Sequence, residues 1–230
     1  MARKKIVFVI VEGPSDDIAI GSCLDKLFAC ETVHVEVMHC DITTLNDVTG
    51  QNIINKICDV VKKYAGNNSF TRKDFKQIIH IVDTDGAFVD ESLVIEDSSV
   101  NRPVYNPSAI ICKNKSAMIQ RNQRKSSVLN RLFTVSEIWS IPYQVYYMSS
   151  NLDHVLYDKQ NSTDEEKERN AYLFSEKYRN DLRGFEHYLG RSPFSVVNGY
   201  LESWAFIKKG NHSLERHSNL ALCFPKETSK

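Results

Sequence analysis

Three carboxylates stand where a metal-assisted reaction could be run. Glu12 follows the apolar run Ile6-Val-Phe-Val-Ile-Val11, and roughly seventy residues later Asp83 and Asp85 follow Ile78-Ile-His-Ile-Val82. Neighbouring parallel strands lie about 4.8 Å apart, so side chains at two strand ends can meet around one ion. Oxygen-only ligands suit Mg²⁺ or Mn²⁺, which bridges phosphate oxygens and lowers the pKa of bound water. Asp83 and Asp85 point the same way if the segment between them stays extended, and Gly86 then frees the chain to turn. Blander readings exist for each group. A glutamate after a strand can simply open a helix, and Asp-x-Asp-Gly can be a solvated turn. An EF-hand is excluded, because the ligand position two before Asp83 is Ile81.

The elements around these residues read as an α/β fold. Ile6–Val11 is a β-branched run of the kind buried on both faces of a sheet. After Glu12-Gly13-Pro14, Ser15 is a candidate N-cap and Asp16 and Asp17 suit the first turn of a helix that carries Ile18, Ile20, Leu24 and Leu27-Phe28. Val33–Met38 alternates as a strand, and Ile53 to Tyr64 has helical spacing up to Gly66-Asn67-Asn68. Ile78–Val82 and Tyr143–Met148 complete four strands. Strands alternating with helices give a mainly parallel sheet flanked by helices, whose ligand sites gather at the carboxyl ends of the strands. Glu12, Asp83 and Ser149–Asp153 all lie there.

The segment about 87–140 is an insertion with helical spacing over 116–133. Residues 159–230 read as a C-terminal helical extension of a domain spanning 1–158. In that extension one helix is expected over 163–188 and another from Ser192-Pro193 to Lys209, with the best hinge at Gln160–Glu168.

Val9-Ile-Val-Glu-Gly-Pro-Ser-Asp-Asp17 resembles the first motif of TOPRIM domains, and Ile81-Val-Asp-Thr-Asp-Gly86 resembles the second. The resemblance covers residues 6–28 and 76–90 directly, and 6–157 in topology. It implies a TOPRIM-like Rossmannoid sheet and a Mg²⁺- or Mn²⁺-dependent endonuclease. Glu12 would bind metal or act as general acid/base, and Asp83 and Asp85 would carry the metal. Asp16 or Asp17 would support a second ion, with Asp16 the candidate. Ser149-Ser-Asn-Leu-Asp153 resembles the Ser-Asn-x-x-Glu segment of small defence-associated members, with Asp153 in place of the longer acid as a further metal ligand. A HAD-type phosphatase loop fits less well, since Ala87 rather than Thr follows Gly86 and the loop comes after the third strand.

No topoisomerase gate, primase zinc module or Walker A sequence is present. The resemblance therefore points to a compact effector of anti-phage defence, regulated by a separate ATPase partner subunit. Its substrate would be nucleic acid, with RNA such as tRNA favoured slightly over DNA. The rival reading is a catalytically silent TOPRIM module that binds an ATPase partner or nucleic acid.

Charge supports a local rather than a general nucleic-acid surface. The chain of 230 residues carries 29 basic and 29 acidic side chains, so it has no overall basic coat. From Ser98 through Ser136, however, no acidic residue occurs, while Arg102, Lys113, Lys115, Arg121, Arg124, Lys125 and Arg131 do. Lys113, Lys115, Arg121, Arg124, Lys125 and Arg131 are candidates for phosphate contact, which positions a strand without reading its bases. Lys208, Lys209 and Arg216, with His212 and His217, are a second candidate clamp. The alternatives are a solvated helix face and a surface turn under Trp204 and Phe206. Tyr105 and Phe133 suit base stacking or core packing, and His34, His39 and His80 suit packing beside strands.

Six scattered cysteines with no CxxC pair indicate neither a zinc site nor a disulfide framework, and point to a reducing, cytoplasmic setting. No apolar run approaches the roughly 20 residues that span a bilayer, and Ile6–Val11 runs straight into Glu12 with no cleavage site, so no membrane partner is expected. Pairing of the C-terminal helices would make a homodimer.

Overall fold

The computed structural model describes residues 4–29, 31–37, 43 and 47–225. Five strands form the main sheet in the order β2-β1-β3-β8-β7: β1 (Ile6–Val11), β2 (Thr32–Val37), β3 (Phe75–Asp83), β7 (Glu137–Ile138) and β8 (Ile141–Met148). The first four of that order run parallel, and β7 returns antiparallel along the start of β8. All six residues of β1 are buried, as its unbroken β-branched pattern requires of a strand covered on both faces.

Alternation along the strands divides the interior into two layers. Ile6, Phe8 and Ile10 face a core shared with α3 (Ile53–Asn67), α4 (Lys115–Leu132) and α8 (Tyr200–Ile207). Val7, Val9 and Val11 face a second core. Its helices are a π turn (Asp17–Gly21), α2 (Ser22–Leu27), α5 (Leu152–Tyr157), α6 (Asp164–Tyr178) and α7 (Leu182–Arg191). The result is a three-layer α/β architecture with a mostly parallel mixed sheet, compatible with a Rossmann-like fold.

The expected strands and the helices α3 and α4 stand within a few residues of their predicted limits. Other expectations are corrected. The helix after Glu12 starts at Pro14 in α1 (Pro14–Asp16) with Gly13, not Ser15, as N-cap. Proline at the first helical position and the Asp16 carboxylate accepting from Gly13 N at 2.9 Å provide the start. The π turn then rotates the apolar stripe, burying Ala19 and Ile20 and leaving Ile18 exposed. The helix expected over 163–188 is two helices, because Asp181 accepts from Gly184 N and caps a fresh start. The helix expected from Ser192 begins only at Tyr200, after Gly199 at φ 141°. Met38, His39, Cys30 and Cys40 lie outside the described residues.

The insertion holds a small sheet in the order β4-β6-β5: β4 (Val94–Glu96), β5 (Val104–Asn106) and β6 (Ala109–Cys112). With Met118 and Leu214, its Val94, Ile110 and Cys112 form a third cluster beside α4. The C-terminal segment is built into the α/β body. Ser218 bridges to Met148, Asn219 Oδ1 accepts from Tyr147 N at 2.8 Å, and Tyr200 OH accepts from Val145 N at 3.2 Å. These contacts cover the edge of β8 that β7 leaves open. Trp204 and Ile207 lie in the first core, and Phe174, Phe185 and Leu189 in the second. Among the described residues no helix is long and apolar enough to cross a membrane.

Candidate active site

The carboxyl ends of β1, β3 and β8 are adjacent, so Glu12, Asp83 and the turn Ser149–Asn151 meet at one edge of the sheet. Glu12 reaches across the strand end, and its Oε1 accepts from Asp83 N at 3.2 Å. Asp83 continues the face of Ile79 and Ile81, and its Oδ1 accepts from Leu152 N at 2.9 Å, at the start of α5. Half of that carboxylate therefore anchors the element that carries Asp153.

The expectation that Asp83 and Asp85 share one extended segment is not met. Asp85 takes the left-handed conformation at φ 45°, which aspartate tolerates better than most residues. Its amide donates to Ser150 O at 2.6 Å, and Thr84 Oγ1 donates to Ser213 O at 2.9 Å. The turn brings Asp85 under α4. Gly86 lets Asn122 pack against the turn, because a Cβ at this position would force the Asn122 amide to move.

Two residues of the basic stretch meet the carboxylates. Lys125 is fully buried, with Nζ 2.5 Å from Asp85 Oδ2 and 3.6 Å from Glu12 Oε1. Arg121 lies one turn earlier, donating from Nη2 to Asp85 Oδ2 at 2.9 Å and from Nη1 to Tyr105 OH at 3.3 Å. A lysine is rarely buried unless a carboxylate compensates its charge, and here two do. Tyr105 is thereby part of the site, and burial beside Asp85 pushes its phenol up to about 12.

A second acidic pair stands on the α5–α6 side. Burial pushes Asp16 from 3.8 up to about 6; the Gly13 amide opposes the shift and Asp153 adds to it. Asp153 is 5 % exposed, its Oδ1 has no hydrogen-bond partner, and burial raises its pKa too. The Lys167 charge, from α6, acts on both. Burial also raises Asp17, with His34 opposing.

The remaining basic candidates are dispersed. Lys113 and Lys115 are at the start of α4, where Glu96 accepts from Lys115 N at 2.9 Å. The Nε of Arg124 is buried without a hydrogen-bond partner, and Arg131 packs near Gly50 at the far end of α4. Lys208 Nζ sits 3.7 Å above the Phe133 ring, where burial lowers its pKa. Lys209 is exposed. Arg216 is engaged structurally: it donates to Val155 O and Tyr188 OH and stacks on Phe194. His217 has a pKa lowered by burial and pairs with Glu215, while the Phe206 ring lies against His212. His34 stacks on Tyr64, and His80 is buried in the sheet.

The donor set matches a hard divalent cation in chemistry. Among the described residues, no three His, Cys, Asp or Glu side chains form a ready metal cage. Mg²⁺ rarely uses such cages; it is held by one or two carboxylates with waters and substrate phosphates. The orphaned, buried Asp153 oxygen beside a second carboxylate is the feature that fits a cation best. Glu12 and Asp85 already have the Lys125 ammonium between them.

Buried Lys125, Arg121 and Tyr105 as site components were not separable in sequence from neighbours of similar type. The spacing of Arg121 and Lys125 by one helical turn was the available signal. A larger cavity of about 560 Å³ lies elsewhere, at the starts of β3 and β8 beside Phe133 and Tyr200, with no charged residue in its lining. Compared with known proteins, the chain matches no family model, no curated protein and no solved structure.

Proposed function

We propose that the chain is a Mg²⁺- or Mn²⁺-dependent nuclease of TOPRIM type, cutting phosphodiester bonds at the strand ends that carry Glu12, Asp83 and Asp85. The observation that supports this reading is that Glu12 and Asp85 meet a fully buried lysine, with the Asp83 backbone on Glu12, at the carboxyl edge of a parallel sheet where ligands gather in such folds. A bound divalent ion would supply charge neutralisation at the scissile phosphate and a more acidic water. Asp83 and Asp85 are its ligands in this reading, and Asp16 and Asp153 hold a second ion. Glu12 orients or deprotonates the attacking water. Lys125 and Arg121 place positive charge where phosphate oxygens become more negative, in a site whose low exposure strengthens each interaction. Resemblance to anti-phage effectors adds RNA, tRNA among it, as the favoured substrate and an ATPase as the restraining partner. The C-terminal helices are where two copies would pair in this reading, with Tyr172 and Leu173 of α6 exposed.

A second reading is favoured by one observation. Asp85 is held by both Arg121 and Lys125, an arrangement that also suits a silent binding module whose carboxylates serve structure. Cleavage of a tRNA and DNA panel in Mg²⁺ or Mn²⁺ separates the two. Metal-dependent cutting that is lost in Glu12→Ala and Asp83→Ala is expected. Equal inactivity of wild type and both variants, with no metal binding by calorimetry, would leave the binding module.

A further inference from the structure

Arg121 borders two sites. Its Nη2 holds Asp85 and its Nη1 donates to Tyr105, and the side chain also lines a cavity of about 240 Å³. Arg102 and Lys113 stand at the same cavity, with buried Cys112 and Met118 and the methyl of Ala117 as its apolar lining. No acidic residue lines it. The positive end of α4 is not the source of attraction there. Asn114 Oδ1 takes the Ala117 amide at 2.9 Å, and Glu96 Oε2 takes the Lys115 amide at 2.9 Å. Any anion at this place is held by the three cationic side chains.

Apolar walls with a few charged groups at one side are the composition of a small-molecule pocket, and this one is smaller than the roughly 300–1,000 Å³ of a drug-sized site. It has room for one flat ring and its sugar. Cationic rims and a thioether-lined slot match a nucleotide: the base lies on the apolar wall and the phosphate faces the cations. Position along α4 fixes the relation to the carboxylates. Ala117, Arg121 and Lys125 are spaced by four residues on one helix face, so each step is about one 5.4 Å turn.

We propose that the cavity at Arg102, Lys113 and Arg121 binds one nucleotide unit of a single-stranded substrate, adjoining the site of Glu12, Asp83 and Asp85 where the scissile phosphate would lie. Arg121 is the shared contact between the two. The placement beside a scissile phosphate rests on the nuclease reading; the pocket's affinity for a nucleotide unit does not.

The test is fluorescence anisotropy of a labelled single-stranded oligoribonucleotide with the full chain in EDTA, where no cutting occurs. Arg102→Gln and Lys113→Gln are each expected to weaken binding several-fold and to flatten the dependence of log K on log salt by about one. Ala117→Leu fills the slot without changing charge, and binding weakened several-fold is expected from loss of base contact. Each variant is first matched to wild type by circular dichroism and Tm. Unchanged affinity in Ala117→Leu would overturn the slot, and unchanged salt slopes in the two glutamine variants would overturn the phosphate contacts. A free nucleoside 5′-monophosphate that competes as well as the strand would overturn the strand placement. Loss of binding in the pocket variants of a chain that never cuts would leave the pocket standing and remove the nuclease. Cutting by a chain whose pocket variants bind normally would do the reverse.

Discussion

Replacing Asp16 with asparagine should stabilise the protein, and by more at neutral than at acid pH. Asp16 titrates near 6 in the folded chain against 3.8 in its ordinary state, chiefly because it is buried, with the Asp153 carboxylate adding to the effect. A raised carboxylate pKa means that the folded state binds more protons than the unfolded state between these two values. Stability therefore falls as pH rises through that window, and the full penalty is present above about pH 7. At 1.36 kcal/mol for each pH unit between 3.8 and about 6, the penalty is about 3 kcal/mol, and about half has developed by pH 5. The proton belongs to the Asp16–Asp153 pair, so Asp153→Asn should relieve part of the same penalty.

Asparagine retains a carbonyl oxygen for the Gly13 amide, which Asp16 Oδ2 now accepts at 2.9 Å. Any loss in that cap is independent of pH and drops out of the comparison. Urea unfolding of wild type and Asp16→Asn in EDTA at pH 5 and pH 7.5 is the assay. The stability gap should widen by roughly 1–2 kcal/mol between the two pH values. Saturating Mg²⁺ at pH 7.5 should then raise wild type more than the variant, by about 2.7 kcal/mol at a hundred times the Kd of the second ion. A gap of the same size at both pH values would refute the repelling Asp16–Asp153 pair, and equal Mg²⁺ stabilisation of both proteins would refute Asp16 as a ligand.

Two further perturbations probe how the parts are joined. Lys125→Met leaves Glu12 and Asp85 without the buried ammonium between them, and a loss of about 3–5 kcal/mol in urea unfolding is expected; a change below 1 kcal/mol would mean that Arg121 alone neutralises Asp85. Trp204→Ala removes a fully buried indole of the first core, and a single cooperative transition weakened by about 3–5 kcal/mol is expected. Separate transitions for the sheet and the C-terminal helices would contradict their shared core.

Much of the layout was legible because period and strand chemistry are local. The β-branched runs Ile6–Val11 and Ile78–Val82 lie within β1 and β3, and the carboxylates stand at the carboxyl edge of the sheet. The spacing over 116–133 marks α4 to within one residue at each end. The C-terminal region was less legible. The break at Arg179–Asp181 depends on a single side-chain cap, and the late start of α8 on the unusual φ of Gly199. Neither disturbs the apolar pattern enough to be seen in it. The three short strands of the insertion are too brief for their alternation to stand out, and they are stabilised by Met118 of the neighbouring α4 and by Leu214 from a distant part of the chain.

Composition and order determined that acidic residues would stand at the ends of two buried strands and that a long acid-free stretch would lie between the strands that became β3 and β8. They could not determine which bases from that stretch would be solvated. Tertiary structure decided this by laying α4 across the first core, turning Lys125 and Arg121 onto Asp85 and leaving Lys113 at the edge of a cavity. It also curled Asp85 out of the extended strand and gave half of Asp83 to the start of α5. A helical period records which face of α4 is apolar. The burial of a charge depends on an opposite charge arriving from forty or more residues away, and that meeting exists only once the sheet and helix have packed.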